Sequence, residues 1–82
     1  MTKSTLEIVR EVFVEKLESD PETVVLQASL SEDLGADSLD AIEVIMALEE
    51  IYGREFEGED IENLKTVGDV VELIDRLTHQ EG

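Results

Sequence analysis

Apolar residues recur at a helical period in three long segments of the chain. The first segment covers residues 4–18 and opens with Ser4 and Glu7 at the spacing of a capping box. The second covers residues 37–52, and the third residues 66–79. Each is long enough for several helical turns, so the pattern predicts three long helices.

Glycines and short polar residues mark where the later helices begin and end. Gly35 permits a positive φ just before the second helix, and Asp37 is a good N-cap. Gly53 is suited to end that helix. Thr66 and Asp69 have capping-box spacing at the start of the last helix, which should continue to about His79.

The connection between the first two helices is long, and no hydrophobic period persists from residue 26 to residue 37. Asp20 and Pro21 favour one isolated turn within it. Leu30 and Leu34 are apolar anchors, so we expect a packed loop that delivers residue 38 to one end of the domain.

A short third helix is expected around residues 59–64, and no segment predicts a convincing strand. The predicted fold is therefore all-α. It is a small four-helix bundle with three long helices, a short third helix and a long first loop, and residues 1–82 form a single domain.

The second helix has two distinct apolar faces when successive residues are rotated by about 100°. One face is predicted to join the core, and it comprises Ala41, Ile45, Leu48 and Tyr52, flanked by Ile42, Val44 and Ile51. The opposite face alternates two large apolar residues with two acids: Leu39, Glu43, Met46 and Glu50. We call these four residues the docking strip, because they combine burial and charge on a face that should be solvated.

Acidity dominates the composition, with 22 acidic against 6 basic residues and a net charge of −16. Such a surface repels phosphate backbones and anionic lipids, so neither nucleic acid nor membrane is an expected partner. Basic protein surfaces are the natural complement.

Cysteine is absent, and no apolar run approaches the ~18 residues of a membrane span. We expect a cytoplasmic monomer.

The residues offer little support for catalysis or a dedicated metal site. An EF-hand loop starting at Asp33 would put Ser38 where glycine is required and Gly35 at a side-chain ligand position. The single histidine, His79, lies near the end of the chain, and no nucleophile elbow or P-loop occurs. Position alone favours helix capping by Ser38 or Asp37, with covalent attachment to Ser38 as the alternative.

The segment Leu34-Gly35-Ala36-Asp37-Ser38-Leu39-Asp40, with Glu43 and residues 46–50 behind it, closely resembles the acyl carrier proteins. The resemblance extends over the whole chain through its length, acidity, long first loop and helix order. It implies that Ser38 receives 4′-phosphopantetheine from coenzyme A, through a holo-acyl-carrier-protein synthase or another phosphopantetheinyl transferase. Asp37 would assist that modification.

In that family the second helix recognises partner enzymes, which matches the docking strip. The resemblance therefore implies fatty acid synthase enzymes with basic docking patches, and acyltransferases, as partners. It extends the partner-binding surface to Asp40, Glu49 and Asp60.

Many members of the family shelter an acyl chain between the second helix, the third helix and the loop. The candidates to line such a cavity are Ile45, Leu48, Phe56, Leu64 and Val70, and their alternative role is that of ordinary core. Residues 56–58 read Phe-Glu-Gly, where the bacterial pattern commonly has isoleucine, proline and an acid. Gly58 would loosen the entry to the third helix.

The expected function is that of a non-catalytic carrier, which moves acyl thioesters between enzymes of fatty acid biosynthesis. Two alternatives follow from the same residues. A specialised carrier for polyketide or other acyl synthesis would keep the mechanism and change the cargo. An unmodified acidic helical adaptor would use Ser38 only as a cap.

Overall fold

The computed structural model describes residues 4–78 and is all-helical, as the hydrophobic period predicts. Its four helices are α1 (Thr5–Leu17), α2 (Ser38–Tyr52), α3 (Gly58–Glu62) and α4 (Val67–Thr78). Within the described residues the only β-type pairing is an isolated antiparallel bridge between Ser29 and Thr66. The prediction that α4 continues to His79 concerns a position outside the described residues.

The predicted capping signals at the helix starts are confirmed. The Ser4 hydroxyl accepts from the Glu7 amide at 3.2 Å, and the Glu7 carboxylate accepts from the Ser4 amide at 3.2 Å. Thr66 and Asp69 exchange the same pair of bonds at 3.1 and 3.0 Å. These reciprocal bonds satisfy amides that have no partner inside the helix.

The helix ends also follow from local chemistry. Gly53 closes α2 with φ 65°, as expected for a left-handed C-cap. Glu18 closes α1 in the same conformation, with φ 54°. The third helix covers residues 58–62 instead of the predicted 59–64, and Asn63 is its C-cap.

The core lies between α1, α2 and α4. Its largest fully buried side chains include Phe13, Leu48 and Ile74, one from each of these helices. The hydroxyl of Thr5 donates to the carboxylate of Asp75 at 2.6 Å and thereby ties the start of α1 to α4. No side chain of α3 is fully buried, so this short helix packs at the edge of the bundle.

The first loop is packed against the bundle, as predicted. Val24 is completely buried and Leu30 nearly so, while Leu34 is half-buried. The Arg10 guanidinium donates two bonds to the carbonyl oxygen of Val24, at 3.2 Å from Nε and 3.0 Å from Nη2. The predicted turn is formed by Asp20, whose carboxylate accepts from the amide two residues later.

Backbone hydrogen bonds join this loop to the start of α4. The amide of Leu30 donates to the Lys65 carbonyl at 2.9 Å, and the amide of Val67 donates to the Ala28 carbonyl at 3.0 Å. The amide of Gly68 donates to the Leu26 carbonyl at 2.9 Å. A Cβ on Gly68 would lie 3.0 Å from that carbonyl oxygen, a tight contact, so the close approach favours glycine.

Two predictions for the core face of α2 are wrong. Ile42 is 44% exposed and Ile51 is 53% exposed, although both were expected to flank the core. Val44, Ile45 and Leu48 are buried as predicted. The apolar arc of α2 is therefore wider than the surface that its neighbours cover, and the residues at its two margins remain in contact with solvent.

Asp69 makes a pH-dependent contribution to stability. The backbone amide of Lys65, followed by the amide and hydroxyl of Thr66, donates to its carboxylate and lowers its pKa against an opposing effect of burial. Because the pKa is lower in the folded state, this stabilisation is present at pH values above about 3.9, the usual pKa of an aspartate. It is lost as the pH falls through the folded-state value.

We therefore expect Asp69→Ala to reduce the free energy of unfolding by about 1.5 kcal/mol at pH 7, with a smaller difference near pH 3. Urea unfolding followed by circular dichroism at both pH values measures this. Glu72→Ala, which removes an exposed carboxylate from the same helix, is the matched control. Equal losses at both pH values would contradict the assignment.

Candidate functional site

The turn before α2 is fastened to the first loop. The amide of Leu34 donates to the Ser29 carbonyl at 3.1 Å, and the amide of Ala36 donates to the Leu30 carbonyl at 2.8 Å. Between them, Gly35 adopts the predicted positive φ of 65°. This turn places Ser38 at the first position of α2, where the residue is exposed.

Asp37, not Ser38, caps α2. Its carboxylate accepts from the Asp40 amide at 2.9 Å, and the Asp40 carboxylate accepts from the Asp37 amide at 3.3 Å. The sequence left the cap open between Asp37 and Ser38. Because Asp37 has this role, the exposed hydroxyl of Ser38 is not needed for capping.

The environment of Ser38 is suited to holding a phosphate ester. The first amides of α2 and the positive end of its dipole favour an anion there. The carboxylates of Asp37 and Asp40 oppose it, although both are engaged in the capping box. A phosphate at this position would therefore lie within a mixed electrostatic field.

A groove of about 780 Å³ opens beside Ser38. Its walls are the first loop, the start of α2 and the segment from α3 to α4. The lining residues are Ser29, Leu30, Ser31, Glu32, Ala36, Asp37, Ser38, Ala41, Ile42, Ile61, Glu62, Leu64 and Lys65. Polar and apolar side chains are mixed, so the groove can accept an elongated ligand with both kinds of group.

The groove includes only one of the five residues predicted to line an acyl cavity, Leu64. The other four, Ile45, Leu48, Phe56 and Val70, belong to the buried core. Their role as cavity lining stays a prediction. The groove itself depends on the hydrogen bond between Leu30 of the first loop and Lys65 in the segment after α3, which the helical period of α2 cannot indicate.

The docking strip is exposed along its whole length. Leu39 is 72% exposed and Met46 is 58% exposed, and Glu43 and Glu50 lie beside them in solvent. Ile42 enlarges this surface, because it lies three residues from Leu39 and four from Met46 and so shares their side of the helix. That spacing was the available signal for Ile42, which was predicted to flank the core face.

Three acids that were predicted to extend the docking strip have partners within the chain. Asp40 belongs to the capping box of α2. The Glu49 carboxylate accepts from the Phe56 amide at 2.8 Å and so fastens the loop after α2. Asp60 pairs with Arg76 at 3.4 Å and links α3 to α4.

Comparison with known proteins identifies the family. The sequence profile described as "Phosphopantetheine attachment site" matches residues 7–74. The chain is 54% identical over 69 residues to an acyl carrier protein of Thermosynechococcus vestitus, covering 84% of this chain and 85% of that protein. The chain belongs to the acyl carrier protein family. An acyl carrier protein of Caulobacter vibrioides is 47% identical over 73 residues, which cover 89% of this chain and 94% of the relative.

The fold of this acyl carrier protein agrees with the assignment. A solved structure of a protein assigned as an acyl carrier protein from Mycobacterium tuberculosis superposes with a TM-score of 0.84 at 28% identity. The superposition covers 90% of this chain and 99% of that one. Members of the family act as carriers and not as catalysts.

The prosthetic group of this acyl carrier protein is 4′-phosphopantetheine. The described residues fit such a group, because the exposed hydroxyl of Ser38 does not cap α2 and borders a groove lined by both polar and apolar residues. Among residues 4–78, no three acidic or histidine side chains converge on a point where a metal ion could bind. No helix in that range has the length and apolar character needed to span a membrane.

The bond between Glu49 and Phe56 gives a test of local stability. Glu49→Ala leaves the Phe56 amide without its acceptor. We therefore expect the free energy of local opening at that amide to fall by about 1.5 kcal/mol, and its hydrogen exchange to become about tenfold faster. Amide exchange followed by nuclear magnetic resonance measures both. Glu50→Ala, which changes the adjacent exposed acid, should leave Phe56 protected, and equal exchange in the two variants would disprove the anchoring role.

Proposed function

We propose that the chain carries acyl groups as thioesters on a 4′-phosphopantetheine arm attached to Ser38, and passes them between enzymes of fatty acid biosynthesis. The observation that carries the proposal is the exposed Ser38 hydroxyl at the first position of α2, next to a capping box that Asp37 and Asp40 supply without it. Ser38 also lies within the segment that matches the phosphopantetheine family.

The residues around Ser38 have separate roles in this proposal. Ser38 supplies the oxygen that bonds to phosphorus, and Asp37 both caps the helix and assists the modifying transferase. The arm supplies a terminal thiol, which a chain without cysteine lacks. The chain itself makes and breaks no bond of the acyl group, so its contribution is to bind, orient and present the arm.

Partner enzymes are proposed to dock on the strip that begins one residue after Ser38. Leu39 and Met46 offer apolar surface, while Glu43 and Glu50 attract basic residues. A transferase, the synthase enzymes and acyltransferases must all approach the same arm. Because the docking strip lies next to Ser38, where the arm is attached, each of these enzymes can bind the same surface in turn.

The polar lining of the groove favours a second candidate, a carrier of more polar chains such as polyketide intermediates. Ser29, Ser31 and Glu32 border the groove together with the apolar Leu30 and Ile61. An acyl chain with keto or hydroxyl groups would find hydrogen-bonding partners there. The two candidates share Ser38 and differ only in cargo.

Intact-mass measurement tests attachment. After incubation with coenzyme A and a phosphopantetheinyl transferase, the protein should gain the mass of one phosphopantetheine. Ser38→Ala should gain none, whereas Ser31→Ala, which removes an exposed serine of the first loop, should gain as much as the original protein. If several active transferases add nothing, the chain is an unmodified adaptor.

Two substitutions test the docking strip: one reverses a charge, and the other introduces a charge at an apolar position. Glu43→Lys or Met46→Asp should lower the rate of transfer by partner enzymes by about tenfold, because each replaces a complementary contact with a repulsive or desolvated one. Steady-state kinetics with the loaded protein measures the rate, and circular dichroism checks the helices. Glu72→Lys and Ile51→Asp make the same changes at exposed sites off the strip, and should have little effect. Unchanged kinetics for both strip variants would remove the strip as the docking surface.

A further inference from the structure

One side chain in the groove beside Ser38 differs in charge from all the other ionised ones. Among the described residues that line the groove, Lys65 is the only base, and the charged remainder are the acids Glu32, Asp37 and Glu62. The chain has only six basic residues, so a lysine in this position stands out. It offers a positive charge within the same groove as the attachment serine.

The backbone of Lys65 is held in a defined position relative to Ser38. Its carbonyl accepts from the Leu30 amide at 2.9 Å, and its amide donates to the Asp69 carboxylate at 2.9 Å. The Leu30 carbonyl in turn accepts from the amide of Ala36, two residues before Ser38. Two backbone hydrogen bonds thus connect the wall that carries Lys65 with the turn that carries Ser38.

The negative charge around Ser38 favours a cation in this groove. A phosphodiester on Ser38 adds negative charge to a chain whose net charge is already −16, and Asp37 lies directly beside it. The Asp69 carboxylate, which also faces Lys65, is already engaged by two backbone amides. An ammonium group is a compact point charge that suits a phosphate oxygen and reaches it through a flexible stem.

We propose that Lys65 binds the phosphodiester of the arm on Ser38 and thereby retains the arm in the groove. This inference rests on the proposed attachment to Ser38. Lys65 is a positioning residue here, and its contact leaves the rest of the arm to lie along Leu30 and Ile61. A partner with its own basic patch competes for the same phosphate, so docking would loosen the arm.

The test compares lysine variants of the loaded protein. Proteins with a confirmed phosphopantetheine mass are studied by ³¹P resonance and by nuclear Overhauser contacts between the arm and the side chains of Leu30 and Ile61. In Lys65→Gln we expect the ratio of groove-bound to free arm to fall by about two- to fivefold, the range for an exposed ion pair. Lys65→Arg should restore it, and high salt should reproduce the loss in the original protein.

Lys16→Gln is the matched control, because it removes an exposed lysine from α1 without touching the groove. The fold should survive in Lys65→Gln, since the hydrogen bonds of residue 65 described above are made by its backbone. Identical arm contacts in the two glutamine variants would overturn the role of Lys65 alone. A failure to load any phosphopantetheine would overturn the attachment proposal, and this inference with it.

Discussion

The position of the candidate site depends on the backbone pairing between the first loop and the start of α4. The amides of Val67 and Gly68 would have no partner within their own helix, and the carbonyls of Ala28 and Leu26 accept from them. The same pairing stops the long loop from moving freely over the surface. The turn before Ser38 is hydrogen-bonded to this loop, so the position of the site depends on α4, which is distant in the sequence.

The acidic residues near the site divide into two groups with different roles. Asp37 and Asp69 are bonded to backbone amides, and they stabilise the ends of helices. Glu43 and Glu50 are exposed on the docking strip. Net charge alone would treat these four residues as equivalent. Their surroundings show that Asp37 and Asp69 maintain the fold, while the carboxylates of Glu43 and Glu50 are exposed to solvent.

Local signals predicted the helices well, because capping and periodicity act over a few residues. Ser4, Gly35 and Asp37 each have the role that their chemistry indicates. The exposure of Ile51 could not be obtained in the same way, since it depends on how much of α2 its neighbours cover. Most of the residues that line the groove beside Ser38 were missed for a related reason: they come from segments that are far apart in the sequence.

The weak attachment of α3 sets a limit on how permanent the groove can be. This helix has five residues, none of them fully buried, and no side-chain cap at its start. Its opening therefore breaks few contacts, so it is expected to be the unit with the lowest free energy of local unfolding. Since Ile61 and Glu62 belong both to α3 and to the groove, each such opening removes one wall. The volume beside Ser38 is thus that of one state in an ensemble. A bound acyl chain that fills this volume would shift the population toward the state in which α3 is folded.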